Sequence, residues 1–512
     1  MGIKAFVFAL SVLTLSVSLE AAMSGQVSVE GGLLSGVPGS NPEVTVFRGI
    51  PYAAPPVGDL RWQSPQPPAK WTGVRKADKF SAACIQLPQI KGAFYQVEFY
   101  PVDEPTSEDC LYLNVYTAAK SPSEKRPVLV WIHGGALREG SGSLPSFDGE
   151  PLATKGVVVV TINYRMNVFG FFAHPELTRA SGRNASGNYG FQDQLAALQW
   201  VQRNIAAFGG DPKNVIVDGQ SAGSRSINCL MASPLSRGLF QRVIGQSGAE
   251  VQTMRTLADA EADGVKYAQK LGAKSIADLR AIPPDRLLKE GGASGPIVDG
   301  YVLPVSPYVA FSQGKQNDVP AILGSTLDEQ GGMQQPLTPE QFRQQARERY
   351  GALADVFLKL YPASNEAETL RSVHDVSRDS WASNMRRWAR LQLATGKSKV
   401  YMYCFTRSDP GRDSGRYGAF HSGELVYHFN NLKSVDRPWE PLDRKLADIM
   451  SSYWVNFAGK GDPNGPGLPL WTVYDPKADV TLELGIEVKP RPRPDAARLD
   501  FWDAFLKQEL AR

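Results

Sequence analysis

Five residues, Gly219-Gln220-Ser221-Ala222-Gly223, follow directly on the apolar run Asn214-Val215-Ile216-Val217 and precede a stretch compatible with a helix. The pattern requires a strand-to-helix turn so sharp that side chains on either side of the serine have no room, and it pushes the hydroxyl out over the end of a sheet. A glycine-rich turn with a solvated serine satisfies the same motif, so the motif alone does not establish a nucleophile. A second glycine loop gives it a partner. Pro127-Val128-Leu129-Val130-Trp131-Ile132 reads as a buried strand and runs straight into His133-Gly134-Gly135-Ala136. Glycine at such a strand end leaves backbone N–H groups free and lets a substrate come close, which is what an oxyanion hole needs.

Around these motifs the element order is that of an α/β fold. Residues 157–162 are a near-continuous β-branched run, as in a strand covered on both faces. Residues 192–205 carry Leu195, Leu198 and Val201 at helical spacing before a turn at Gly209-Gly210-Asp211-Pro212. Strand, helix, strand, serine turn and helix imply a mostly parallel central sheet flanked by helices, with reactive groups at the carboxyl ends of its strands. Before this core, residues 26–77 alternate short strand-like runs with Pro and Gly, predicting a small N-terminal region of antiparallel hairpins. After it, 258–288 and 340–393 are helix-rich, predicting helical insertions that form a lobe over the sheet. Residues 319–323 and 400–406 return to strand character, and 501–506 read as a closing amphipathic helix. A length of 512 residues suggests two or three domains, yet no low-complexity linker divides the chain.

The charge balance, 55 Lys and Arg against 52 Asp and Glu, is too mild to indicate nucleic acid or an anionic membrane, and points to small-molecule partners. Lys4, the apolar residues from Ala5 to Leu19, and Ala21-Ala22 have the form of a cleavable export signal over 1–22, placing the mature protein in the periplasm or outside the cell. The apolar stretch is shorter than the ~20 residues that span a bilayer, and no later segment replaces it, so a stable membrane span is not expected. Of four cysteines, Cys84 and Cys110 lie in loop-like sequence and are expected to bridge. Cys229 and Cys404 read as buried thiols, with a bridge between them as the alternative. Asn184-Ala185-Ser186 is a glycosylation sequon in a eukaryotic host.

A serine hydroxyl needs a histidine to take its proton and a carboxylate to hold that histidine in the right tautomer. His133 belongs to the glycine loop, His174 precedes Pro175, His374 lies in a charged helical stretch, and His428 reads as a packed residue. His421, in Gly418-Ala419-Phe420-His421-Ser422-Gly423, is the base that fits a late loop and the chain order serine, acid, histidine. For the acid, Asp328 and Glu329 follow the strand-like 319–323 and are equally acceptable. Asp299 lies in the same interval, but Asp299-Gly300 between apolar runs is first a hairpin signal.

Over nearly everything after the export signal the chain resembles the type-B carboxylesterase family of the α/β-hydrolase fold. The matching blocks are 47–56 with Leu60-Arg61-Trp62 and Trp71, 107–115, 130–136, Asn163-Tyr164-Arg165, 208–212, 219–223, Gln246-Ser247-Gly248, and Tyr453-Trp454 with Asn456-Phe457-Ala458. The resemblance implies one large domain over 23–512. It implies hydrolysis of small-molecule carboxylic esters through an acyl-enzyme, with no cofactor and no metal. It also implies Ser221 as nucleophile, Glu329 rather than Asp328 as acid, His421 as base, backbone N–H groups of Gly135, Ala136 and Ala222 as the oxyanion hole, Ser247 beside the histidine, and the Cys84–Cys110 disulfide. Choline-specific members carry a glutamate before the nucleophile and a tryptophan in the first disulfide loop; Gln220 and Tyr100 stand here instead, arguing against a cholinesterase. Arg138, after the oxyanion loop, reads first as a solvated cation and alternatively as a residue steering acidic esters. A lipase or an esterase for long-chain or bulky polyester substrates is a second use of the same site; a non-catalytic adhesion protein of the same fold is the rival of another class.

Overall fold

Eleven strands, drawn from almost the whole length of the chain, pair into one sheet in this computed structural model, which describes residues 25–89, 94, 99–102, 104–291, 295–493 and 495–510. The export signal expected over 1–22 lies outside the described residues. In chain order the strands are β1 (Val37–Pro38), β2 (Thr45–Pro51), β3 (Tyr112–Thr117), β4 (Arg126–Ile132), β5 (Val158–Ile162), β6 (Gly210–Gln220), β7 (Arg242–Gln246), β8 (Ala321–Thr326), β9 (Val400–Phe405), β10 (Val480–Leu484) and β11 (Val488–Pro492). Across the sheet they run β1-β2-β3-β5-β4-β6-β7-β8-β9-β10-β11. From β5 to β10 every neighbouring pair is parallel; β1, β2 and β3 at one edge and β11 at the other pair antiparallel. The expected N-terminal hairpin is a separate small sheet in which Gln26–Val29 pairs antiparallel with Gly32–Ser35 and the latter lies parallel to Val74–Lys76.

The apolar runs bury both faces, as the continuous β-branched sequence requires. Val128, Val130, Val158, Val160, Val215, Val217, Val243 and Leu323 face one core. That core is closed by the helices Tyr189–Asn204 (α1), Ala222–Ala232 (α2) and Glu366–Thr395 (α3), through Leu198, Val201, Ile227, Leu230, Met385 and Trp388. Alternate residues of the same strands, Leu129, Trp131, Val159, Ile216, Ile244 and Ile322, face a second core. It is closed by the helix Pro441–Lys460 (α4), through Leu446, Met450, Trp454 and Phe457. Removing a fully buried side chain such as Leu198 leaves a cavity costing about 2–5 kcal/mol.

The lobe has its own apolar cluster. Phe342, Tyr350, Phe357 and Tyr361 pack with Phe501 and Trp502 of the helix Ala496–Leu510 (α5), the closing helix that the sequence foretells. The helix-rich stretch 340–393 resolves into three helices, Pro339–Tyr350, Ala354–Leu360 and α3, interrupted at Gly351 with φ 52° and at the Tyr361-Pro362 corner. Near the opposite end of the chain Cys84 and Cys110 form the expected disulfide, while Cys229 and Cys404 are buried free thiols. Asp299 is buried in a turn, where its carboxylate accepts from the N–H groups of Tyr301 and Leu303 and burial raises its carboxyl above the usual range.

The junction of β6 and α2 is the tightest point of the fold. A Cβ added at Gly223 would lie 1.9 Å from the carbonyl oxygen of Ile132, and one at Gly219 would lie 2.7 Å from the same atom. Both obstacles are backbone at the end of β4, so neither can swing aside. Gly223→Ala is therefore expected to destabilise the protein by about 3 kcal/mol or more, read as a lowered midpoint in thermal or urea unfolding. An unchanged midpoint would mean that α2 does not sit this close to β4.

Candidate active site

Ser221 occupies the turn between β6 and α2 with φ 57° and ψ −119°, a conformation costly for any residue with a Cβ. The turn is held from the adjoining strand, where the Gln246 carbonyl accepts the Ser221 N–H at 2.8 Å. One residue further on, Ser247, itself at φ 50°, donates its hydroxyl to Glu329 Oε1 at 2.7 Å. Glu329 follows β8 at φ 46° and is fully buried. Its Oε1 also accepts the Thr326 N–H at 3.0 Å, and its Oε2 lies 2.6 Å from Nδ1 of His421. The His421 backbone N–H donates to the Glu329 carbonyl at 2.8 Å, so main chain and side chain both join the two loops. Because Nδ1 donates to Glu329, the lone pair of the neutral ring lies on Nε2. This is the tautomer a proton acceptor for a serine needs.

The ring of Trp381, from the middle of α3, packs on His421 with centroids 4.6 Å apart. Ser221 and His421 share a cavity of about 390 Å³ with Gly135, Ala136, Phe94, Glu139, Gln330, Met333, Arg416 and Tyr417. Gly135 (φ 92°) and Ala136 (φ 56°) curl so that the Gly135 carbonyl accepts from Arg138 and Glu139. Among the described residues no carbonyl accepts the N–H of Gly135 or Ala136. Ala222 opens α2, where the first N–H groups of a helix have no intrahelical partner. Ser221, His421, Glu329, Ser247 and the loop of Gly135 and Ala136 are thus gathered at the carboxyl ends of β4, β6, β7 and β8. A larger cavity of about 540 Å³ lies beyond Trp381, bordered by Arg225, Glu250, Asn384 and Arg387 and by neither Ser221 nor His421.

Asp328, the other carboxylate that chain order allows, turns away from the imidazole and accepts the Ala419 N–H at 2.7 Å. Burial raises its carboxyl above the usual range. Arg138 is exposed and does not border the Ser221 cavity; Glu139 does. His174 caps a short helix by accepting the Glu176 N–H. His428 is packed, as its sequence setting suggests, but it is also paired. Its Nε2 lies 3.0 Å from Asp218 Oδ2, and the Gln246 amide lies within 3.0 Å of both residues, all three fully buried beneath the serine turn. Trp381 and the Asp218–His428 pair are neighbours of the site that the sequence motifs do not signal, apart from an acidic residue directly after the apolar run 214–217; Gln220, noted in the sequence only as a departure from choline-specific members, also lies against His421. Among the described residues no group of three or more His, Cys, Asp or Glu side chains is arranged to hold a metal ion.

The sequence profile of the carboxylesterase family matches residues 23–502. The chain belongs to the carboxylesterase family. It is 36% identical to a fumonisin B1 esterase of Sphingopyxis macrogoltabida over 478 residues, covering 90% of this chain and 86% of that one. It is 34% identical to a para-nitrobenzyl esterase of Bacillus subtilis over 478 residues, covering 88% and 93%, and 32% identical to a liver carboxylesterase of Sus scrofa over 528 residues, covering 92% and 90%. This carboxylesterase therefore has the α/β-hydrolase fold of its family and is a carboxylic ester hydrolase.

In the carboxylesterase, His133 opens the glycine loop 133–136 and stacks on Tyr164 with centroids 4.5 Å apart. Burial pushes its ring down to about 4, from an unfolded value near 6.5. A depressed histidine value favours the neutral ring in the fold. The stabilisation is complete above pH ~6.5 and is lost as pH falls toward 4, because the unfolded chain gains a proton there that the fold refuses. A loss of up to about 3 kcal/mol over that window is expected, with a slope reduced by about one proton in His133→Gln. Parallel slopes for the two proteins in urea unfolding at several pH values would contradict this.

Proposed function

We propose that Ser221 is the nucleophile of this carboxylesterase, His421 its general base, and Glu329 the acid that orients the base. The single observation carrying the reading is the 2.6 Å Glu329–His421 contact in a loop whose imidazole shares one cavity wall with Ser221. Ser221 Oγ adds to the ester carbonyl carbon while its proton passes to Nε2 of His421. The oxyanion so formed lies against the N–H groups of Gly135, Ala136 and Ala222, fixed dipoles that need no rearrangement as charge develops. The carbon–oxygen bond to the alcohol then breaks as His421 returns the proton to the leaving oxygen. Water repeats the sequence on the acyl-enzyme, releasing the carboxylic acid and restoring the serine hydroxyl. No step uses a cofactor or a metal. Ser247 and Thr326, which donate to the other oxygen of Glu329, are positioning groups for the acid.

Replacing Ser221 by Ala is expected to abolish labelling by a fluorophosphonate probe and to lower kcat by several orders of magnitude. Glu329→Gln should lower kcat by roughly 10⁴ with the fold intact, because an amide favours the wrong imidazole tautomer. Near-normal turnover in Glu329→Gln together with a collapse in Asp328→Asn would move the acid to residue 328. Retention of Ser221, Glu329 and His421 in one cluster weighs against a purely adhesive role.

The substrate in this reading is a small-molecule ester. A cavity of about 390 Å³ falls within the range of small-ligand sites, and its walls combine the apolar Phe94, Met333 and Tyr417 with Glu139, Gln330 and Arg416. In a panel of p-nitrophenyl esters, kcat/KM is expected to be highest for acetyl to hexanoyl groups and to fall at least tenfold for palmitoyl. A palmitoyl ester hydrolysed best would favour the lipase or polyester reading instead. The export signal over 1–22 supports a secreted or periplasmic single-domain enzyme of residues 23–512, for which the amino terminus of the mature chain is the test.

A further inference from the structure

The atom of His421 that must accept the serine proton is already engaged by another group. Gln220 Nε2 lies 3.2 Å from His421 Nε2, whereas among the described residues no hydrogen bond joins Ser221 Oγ to the imidazole. An amide nitrogen has only protons to offer, so Gln220 is the donor and the imidazole lone pair the acceptor. The ring fixes the direction of the amide, since the reverse orientation would set Oε1 against an unprotonated ring nitrogen. At the other end Oε1 accepts the Tyr100 hydroxyl at 3.4 Å. Gln220 and Tyr100 are both fully buried.

The glycine loop makes room for this pair. A Cβ at Gly134 would lie 2.8 Å from the Tyr100 hydroxyl and 3.0 Å from Gln220 Oε1. The next residues of that loop, Gly135 and Ala136, border the cavity in which an ester carbonyl would sit. The Tyr100–Gln220 pair therefore lies between the disulfide-closed loop 84–110, the oxyanion loop and the base.

We propose that Gln220, oriented by Tyr100, is a positioning residue that caps the general base in the resting enzyme, so that acylation proceeds from the fraction of molecules in which the amide has moved off Nε2. The proposal rests on the assignment of Ser221 and His421 above. The amide and the serine hydroxyl compete for one lone pair, and a buried neutral hydrogen bond of ordinary net strength holds the capped form about fivefold over the open one. Removing the donor should then speed attack by the serine, an effect opposite in sign to that of ordinary damage to an active site.

Stopped-flow labelling with a small fluorophosphonate tests this on the full mature chain, with wild type, Gln220→Met, Tyr100→Phe and Ser221→Ala compared under one set of conditions. The expected result is a second-order labelling rate raised about fivefold in Gln220→Met and about twofold in Tyr100→Phe, with melting temperatures recorded alongside. Gln220→Met keeps the length of the side chain and removes the donor; Tyr100→Phe removes only the orienting hydroxyl and decides the matter if the first variant does not fold. Rates equal to or below wild type in folded variants overturn the cap. Absence of labelling at Ser221 in the wild type overturns the assignment of the nucleophile instead, so the two failures are distinguishable.

Discussion

The serine turn is a backbone constraint before it is a chemical one. Ser221 stands at φ 57° because β6 must end and α2 must begin within one residue, and α2 can then lie against the last carbonyl of β4 only through Gly223. The same left-handed geometry recurs around it at residues that carry side chains: Ala136, Leu137, Ser247, Glu329 and Ser422 all have positive φ. Conformations of this kind cost of order 1–3 kcal/mol each and persist where the surroundings over-determine them. Here the surroundings are a seven-strand parallel array buried on both faces. The stability of two large cores is what allows strained loops to be held at the strand ends.

The position of the imidazole follows from that scaffold. Glu329 is fixed by Ser247 at the end of β7 and by Thr326 at the end of β8, and His421 is tied to it through main chain and side chain. Beneath, Asp218, Gln246 and His428 form a buried polar knot in contact with both β6 and β7, the strands that deliver Ser221 and Ser247. Beside Glu329, burial and then the neighbouring Glu329 charge push the Glu424 carboxyl well up, favouring its neutral form. In the proposed reaction, the Glu329 carboxylate is the group that would stabilise a protonated His421 ring.

Much of this is legible in the sequence, and the rest is hidden for identifiable reasons. The glycines at 219, 223, 134 and 135 are visible because steric exclusion leaves no other residue possible, and the strands 128–132 and 158–162 because burial on both faces makes them continuously apolar. The hairpin near residue 30, the closing helix and the Cys84–Cys110 bridge are likewise signalled locally. Chain order alone leaves Asp328 and Glu329 equivalent. What separates their geometries is a one-residue rotation of the backbone that turns one carboxylate toward Ala419 and the other toward His421. Trp381 is invisible as a neighbour of the site, since its place depends on the rotation of a 30-residue helix about its axis. Asp218 and His428 are far apart in sequence, and only the packing of a short helix, Leu425–His428, against β6 brings them within 3.0 Å.

A crystal structure of the enzyme inactivated with a phosphonate ester, which mimics the tetrahedral intermediate, would show the proposed site in its reacting state. The proposed triad predicts phosphorus bonded to Oγ of Ser221. It also predicts one phosphoryl oxygen within hydrogen-bond distance of the N–H groups of Gly135, Ala136 and Ala222, and Nε2 of His421 turned from Gln220 toward the bound oxygen. Phosphorus on another residue, or a phosphoryl oxygen directed away from the glycine loop, would contradict it.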